Sequence, residues 1–355
     1  MKVSILGSGD YGSALTTPLN RNDIPVKIYA RSEKSKSKCE NSGMIDLNKT
    51  TVVTDMALAT EETDIIIIAV TSAGVKDIVK QLKPLYNNQI ICVASKGIDP
   101  ESGLFMNEVV EKELDTDKVC ILSGPSFAED VAKERPLIVT IAGDEKLTQV
   151  LKNCFNAKDF MVELSSDVIG TACWGSLKNV MAIGVGIMQG QKNTNFNLIS
   201  GIYDMSFAET KLISNHLGGK ESSSLKHSGF ADFALTCGVG FHYKDPEVKE
   251  NFSRNKRFGM YVGKGYPIDQ ALIKVGTVEG YSTLKGLEKL IETGRLDLNS
   301  VRDKMRKIYI QPDSPVEGTV VGSLIDIVLK GKSPRLLVNY LFPDRGKEFE
   351  REKEE

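Results

Sequence analysis

Met1-Lys2-Val3-Ser4-Ile5-Leu6-Gly7-Ser8-Gly9-Asp10-Tyr11-Gly12 opens the chain, and its reading decides the fold. A short apolar run rich in β-branched residues meets Gly-x-Gly-x-x-Gly, and Ser13 to Leu19 then reads as the opening of a helix. Strand, glycine turn and helix, in that order, is the setting in which three such glycines carry meaning. Gly7 would allow the tight turn, Gly9 would let a pyrophosphate approach the backbone, and Gly12 would let helix and strand pack closely. The unbonded N–H groups and positive dipole end of that helix would face the phosphates. The expectation is a dinucleotide site on the loop Gly7, Ser8, Gly9, Asp10, Tyr11 and Gly12; a bare structural turn is the competing reading.

Outward from that loop, Pro25 to Ala30 reads as a second strand. An acidic residue near its end would hold the ribose of NAD, but Arg31-Ser32 stands there, followed by Lys34, Lys36 and Lys38. Arg31 suits a 2′-phosphate, which keeps NADP open beside NAD; a solvated basic loop is the alternative. Asp64 to Val70 is a continuous apolar run, as expected of a strand buried on both faces of a parallel sheet. Strand-like runs recur at Gln89–Ala94, Val119–Ser123, Leu137–Ala142 and Phe160–Leu164. Strands alternating with helices over residues 1–166 predict a Rossmann-type, doubly wound parallel sheet in an α/β domain.

From Asp167 the texture changes. Apolar residues at three- and four-residue spacing dominate Val168–Val185, Leu198–Leu217 and Ile268–Ile291, which predicts an all-α domain over 167–345. Residues 346–355 are a charged tail.

The 355 residues give room for about two domains. A net charge of −2 gives no general pull toward nucleic acid or anionic membrane. No apolar run approaches the roughly 20 residues of a membrane span, so no stable membrane insertion is expected. Six scattered cysteines lack any Cys-x-x-Cys pair, and Cys92 and Cys120 sit in apolar runs, which suits reduced thiols and a cytoplasmic location. His216, His227 and His242 lack ligand spacing, so no metal site is expected. His227 reads as an exposed or hydrogen-bonded histidine. The many apolar faces of the helical half favour a homodimer.

Several stretches in order resemble the NAD(P)-dependent sn-glycerol-3-phosphate dehydrogenase family. They are Gly7 to Leu15, Ser95-Lys96-Gly97-Ile98, Gly124-Pro125-Ser126-Phe127-Ala128-Glu129, Leu177-Lys178-Asn179-Val180, Asp232 with Thr236-Cys237, Ser253-Arg254-Asn255 and Val278-Glu279-Gly280. The resemblance implies reversible hydride transfer between a nicotinamide cofactor and dihydroxyacetone phosphate, with substrate held between two domains. It also implies roles. Lys178 would be the catalytic lysine, Asp232 its charge partner and Lys96 a second cation at the reacting end. Thr236 and Asn179 would hydrogen-bond substrate or catalytic groups. Ser253, Arg254 and Asn255 would hold the substrate phosphate, and Ala128, Arg254 and Glu279 would lie by the cofactor.

The residue chemistry agrees with those roles. Ketone reduction puts negative charge on oxygen, and a lysine ammonium supplies both a counter-charge and a proton. Lys178 lies among small and apolar residues from Gly175 to Gly184. A lysine reaching to water from a half-buried helix would look the same. Asp232 is a lone acid in an apolar run, and a helix cap is its other reading. Arg254 and Asn255 begin a basic run whose guanidinium suits a phosphate dianion, or else a solvated helix start. Four positions depart from the family's usual pattern: Thr71 before Ser72, Gly201 where an arginine is usual, Ala231 beside Asp232, and Pro315-Val316 in place of a Pro-Ile segment. Three of the four cluster in 167–345, the half that the resemblance gives to the substrate. That leaves open a dehydrogenase of another phosphorylated or anionic hydroxy compound, and a non-catalytic NAD(P)-binding sensor.

Overall fold

A computed structural model describes residues 1–192, 194–238, 253–309 and 318–341, with residues 340 and 341 described in their backbone alone. His242, Pro315-Val316 and the charged stretch 346–355 lie outside the described residues.

The apolar runs of the first half form eight strands: β1 (Val3–Leu6), β2 (Val26–Tyr29), β3 (Thr50–Val53), β4 (Ile65–Ile68), β5 (Ile90–Val93), β6 (Val119–Ser123), β7 (Leu137–Ala142) and β8 (Phe160–Ser165). They make one sheet in the order β3-β2-β1-β4-β5-β6-β7-β8. Helices α1 (Asp10–Ala14), α2 (Thr16–Arg21), α3 (Glu33–Glu40), α4 (Met56–Thr60), α5 (Ser72–Leu82), α6 (Met106–Leu114), α7 (Ala128–Ala132) and α8 (Glu145–Phe155) connect them. Alternation along each strand sends side chains to two separate cores. In β4, Ile65 and Ile67 join the layer holding Leu15, Leu19 and Phe155, whereas Ile66 and Ile68 join the layer holding Val75, Val79 and Val110. All four β4 isoleucines are fully buried, as the unbroken apolar run requires.

The sheet departs from the wholly parallel expectation at one pair: β6 and β7 run antiparallel, Leu122 facing Ile141. The reason lies in the connector. α7 is only five residues long and cannot carry the chain back along the sheet, so the next strand returns directly. α8, at 11 residues, does span the return, and β8 is parallel to β7. β3 carries no reading in the sequence. Thr50-Thr51-Val52-Val53 is a short edge strand with one exposed and one half-buried position.

The helical half contains α9 (Val168–Gly190), α10 (Phe196–His216), α11 (Arg254–Gly263), α12 (Ile268–Val275), α13 (Glu279–Glu292), α14 (Leu298–Tyr309), α15 (Val320–Leu324) and α16 (Leu336–Leu341). Among the described residues no strand follows β8. The helically patterned stretch 268–291 forms two helices, because Gly276 ends α12 at φ +83. α9 is long and apolar enough in composition to cross a membrane, contrary to the expectation of no such segment, but it is buried in the protein as a core helix.

α9 and α11 interlock through glycine. A Cβ on Gly186 would lie 2.1 Å from the Lys256 carbonyl oxygen, and one on Gly259 would lie 2.1 Å from that of Ile183. One turn on, Gly190 and Gly263 repeat the contact against Met260 and Ile187. The two backbones therefore touch with no side chain between them.

The chain divides into two compact units that do not follow its halves. One contains 1–96, 104–172 and 225–232, and the other contains 97–103, 173–224 and 233–355. Segment 225–232 thus belongs with the sheet. Lys226 and His227 Nδ1 bond Glu163 of β8 at 2.9 and 3.1 Å, and the Ser228 N–H donates to Thr140 Oγ1 of β7 at 3.1 Å. Burial opposes ionisation of Glu163, but the bonds from Lys226 and His227 outweigh it and hold the carboxyl below its ordinary range. His227 is therefore a hydrogen-bonded histidine. The six cysteines are free and buried.

Candidate active site

In the sheet unit, the glycine loop leaves β1 at Gly7, whose φ of +130 is open to glycine. A Cβ on Gly12 would meet the Gly7 carbonyl oxygen at 2.0 Å, so the turn and α1 close on each other. Gly9 differs: it caps α1, and a Cβ there would meet nothing within 4 Å. The loop is tight at its first and third glycines and open at its second, as a group approaching the backbone there requires. α1 and α2 are separated at Leu15 because Pro18 cannot donate to Ala14 and its ring crowds that carbonyl. Ser8 and Asp10 flank the open glycine. Arg31 is exposed just past β2, where Ser32 caps α3 by accepting from the Ser35 N–H.

Lys96 follows β5. Its ammonium donates to Asp232 Oδ2 at 2.9 Å and to the Gly124 carbonyl at 3.2 Å. The side chains are 15% and 1% exposed, so the ion pair is largely dry. Asp232 reaches the sheet on a π-helical turn, His227–Ala231, whose backbone breaks from helix at Gly229. Ala128, at the start of α7, packs half-buried against the core layer beneath the glycine loop. Tyr11 shares a 2.9 Å hydrogen bond with Ser126. Burial pushes the Tyr11 phenol up, while the Lys96 charge and the Ser126 bond pull it back.

In the helical unit, α9 carries Lys178 and Asn179 adjacent to each other, 8% and 5% exposed. Asn179 is the hub. Its Oδ1 accepts from Asn255 Nδ2 at 2.9 Å, and its Nδ2 donates to Glu279 Oε2 at 3.4 Å. Asn255 Oδ1 in turn accepts the Gly280 N–H at 2.8 Å, and a Cβ on Gly280 would strike the Asn179 carbonyl at 2.5 Å. α9, α11 and α13 are thereby fixed on one another. Thr236 is buried on a second π-helical turn, and the neighbouring Cys237 thiol donates to the Lys178 carbonyl at 3.3 Å. Ser253 caps α11 by accepting the Lys256 N–H at 3.3 Å, and Arg254 is exposed at that helix's first position.

The structure thus gathers the selected residues into two groups, one per unit. The sheet unit brings together the glycine loop, Lys96, Ala128 and Asp232; the helical unit brings together Lys178, Asn179, Thr236, Ser253, Arg254, Asn255 and Glu279. Sequence reasoning did not single out Gly124 or Ser126 for a role, although both lie in a stretch it quoted. Nor did it single out Lys256, which is fully buried and has its pKa pushed down to about 8 by burial. Of the basic run opening α11, only Arg254 faces outward; Asn255, Lys256 and Arg257 are all buried.

Residues 2–149 match the family profile for the NAD-dependent glycerol-3-phosphate dehydrogenase N-terminus, and residues 167–317 match that for the C-terminus. A glycerol-3-phosphate dehydrogenase (NAD(P)+) of Thermoanaerobacter sp. is 29% identical over 327 residues, covering 89% of this chain and 95% of its own. The corresponding protein of Fusobacterium nucleatum is 32% identical over 301 residues, covering 80% and 85%. The glycerol-3-phosphate dehydrogenase structure from Coxiella burnetii superposes with a TM-score of 0.80 at 24% identity, covering 96% of this chain and 98% of that one. The chain belongs to the NAD-dependent glycerol-3-phosphate dehydrogenase family.

Proposed function

We propose that this chain is a cytoplasmic dehydrogenase that reversibly reduces dihydroxyacetone phosphate to sn-glycerol 3-phosphate with NADH or NADPH. The observation that carries the reading is the buried Lys178, set beside an Asn179–Asn255–Glu279 network that holds three helices in place. The open face of Gly9 at the start of α1 fits a dinucleotide pyrophosphate. Gly7 to Gly12, Arg31, Lys96, Ala128, Arg254 and Glu279 would hold the cofactor. When bound, the nicotinamide supplies or accepts the hydride.

The chain's own residues do the rest. Lys178 Nζ gives a proton to the carbonyl oxygen as negative charge builds there, and takes it back in the reverse direction. Asn179 and Thr236 orient the hydroxyl groups. Arg254 and Asn255 hold the substrate phosphate, Asn255 from a side chain already anchored at both ends. Lys96, paired with Asp232, adds a second cation at the reacting end. On this reading residues 1–166 carry the cofactor and 167–345 the substrate, and two chains pair as a dimer.

The test is oxidation of NADH and NADPH with dihydroxyacetone phosphate beside a panel of other phosphorylated ketones and aldehydes. Rapid turnover of dihydroxyacetone phosphate is expected, and the preferred nucleotide shows whether Arg31 holds a 2′-phosphate. Lys178→Ala should lower kcat by about 10²-fold or more while NADH still binds. Wild-type turnover unchanged by that substitution would remove Lys178 from the mechanism. A second reading, another phosphorylated or anionic hydroxy compound as substrate, is favoured by Gly201. That position presents open space where the family usually has arginine. Turnover of a panel member in preference to dihydroxyacetone phosphate would select it.

A further inference from the structure

We infer that the Tyr11 hydroxyl is a positioning group for Lys96, acting through Ser126 and the Gly124 carbonyl. The inference rests on the reading of Lys96 as a cation at the reacting end, and it assigns Tyr11 a task beyond contact with the cofactor.

Four hydrogen bonds within the sheet unit carry it. The Gly124 carbonyl can only accept, so the 3.2 Å bond from Ser126 Oγ uses the Ser126 proton. Ser126 Oγ must then accept from Tyr11, which fixes the 2.9 Å bond as donated by the phenol. The same Gly124 oxygen takes the 3.2 Å bond from Lys96 Nζ, which donates a second proton to Asp232 at 2.9 Å. The chain of donors is Tyr11 to Ser126 to Gly124, where it meets Lys96.

The consequence is geometric. A carbonyl oxygen has two lone pairs. With one committed to Ser126, the direction of the other is fixed, and it lies on Lys96. An ammonium has three N–H groups in a fixed tetrahedral array, so anchoring two of them on Gly124 and Asp232 sets the direction of the third. The backbone adds stiffness. Gly124 sits at φ +136 with a Cβ position 3.0 Å from the Val139 Cα of β7, so the turn rests directly on the neighbouring strand. Tyr11 ties that turn to the glycine loop. A phenylalanine at position 11 would keep the ring and lose the donor.

Two readouts test this, one of them independent of the substrate. The first is the rate at which trace acetic anhydride acetylates Lys96, measured by mass spectrometry against Lys133, which is 57% exposed. Tyr11→Phe and Ser126→Ala should each raise the relative rate about 3- to 10-fold, the weight of one hydrogen bond. The double variant should match Ser126→Ala alone, because the two groups act in series. Ser126→Thr, which retains a hydroxyl, should restore the wild-type rate. The second readout is turnover of dihydroxyacetone phosphate. Tyr11→Phe should lower kcat by a similar factor with KM for NADH within about twofold.

An unchanged Lys96 rate in Tyr11→Phe would overturn the inference. So would additive effects in the double variant, or a rise in KM for NADH that accounts for the whole loss. If the wild-type chain leaves dihydroxyacetone phosphate unreduced, the proposed function fails, and the acetylation comparison decides the positioning role by itself.

Discussion

Glu209 shows how one buried acid ties a distant helix. It lies on α10 with no exposure, and its two oxygens accept the Val320 and Val321 N–H groups at 2.6 and 2.8 Å, at the start of α15. Burial raises its pKa to about 7, with those two bonds pulling the other way. The folded state therefore binds this proton more tightly than the unfolded chain, whose glutamate titrates near 4.5. Stability from this group is greatest below pH 4.5 and declines as pH rises to about 7. Urea midpoints of the wild type and Glu209→Gln, taken at pH 5 and pH 7.5, should separate the effect. The difference between the two proteins should shift with pH in that window, with the wild type losing more on the alkaline side. Parallel behaviour would mean that Glu209 does not titrate there. Individual residues were unevenly legible in the sequence. Lys178 stood out through resemblance and through its odd surroundings, and Asn255 through resemblance. The Lys96–Asp232 pair did not, because 136 positions of chain separate its members and nothing local in either stretch names the other.

Among elements, the crossing of α9 and α11 makes the sharpest demand on sequence. Each of its four glycines stands where a methyl group would collide with a backbone carbonyl of the other helix, and neither backbone can yield as a flexible side chain would. Gly259→Ala should destabilise the protein by about 1–3 kcal/mol, as overpacking of a filled core does. Gly201→Ala should be neutral or slightly stabilising, since its Cβ would enter open space within α10. Denaturant midpoints of the two variants check both, and equal effects would mean that the crossing relaxes freely. This feature was hidden in the sequence. Gly186-x-x-x-Gly190 and Gly259-x-x-x-Gly263 are visible spacings, but only the crossing shows that they face each other. Six of the eight strands announced themselves in the sequence after the opening one had. β3 escaped because an edge strand needs only one apolar face, and β7 reversed direction because a short connector, rather than strand composition, sets it.

At the scale of the molecule, the single tryptophan is a built-in reporter. Trp174 is 1% exposed in the helical unit, with Phe207 at 5.0 Å and Phe233 at 6.1 Å between ring centroids. Its fluorescence follows that unit, whereas far-ultraviolet circular dichroism follows helices in both. The chain changes unit after Lys96, Gly103, Ala172, Ser224 and Asp232, so neither unit can unravel without pulling on strands of backbone that belong to the other. The two signals should give coincident urea transitions; separated midpoints would show that the units unfold independently. The change of texture near residue 167 was plain in the sequence. The exchange of 97–103 and 225–232 was not, since each is too short to form a pattern of its own.

That threading also bears on inheritance. A crossover between two related genes near codon 166 would give a daughter protein whose Lys96 descends from one parent and whose Asp232 descends from the other. The ion pair, the Glu163 bonds to 226 and 227, and the seat of Ser228 on Thr140 would all have to match across lineages. Successful recombinants should therefore carry the short segment 225–232 with the first half of the gene, a double exchange rather than a single one.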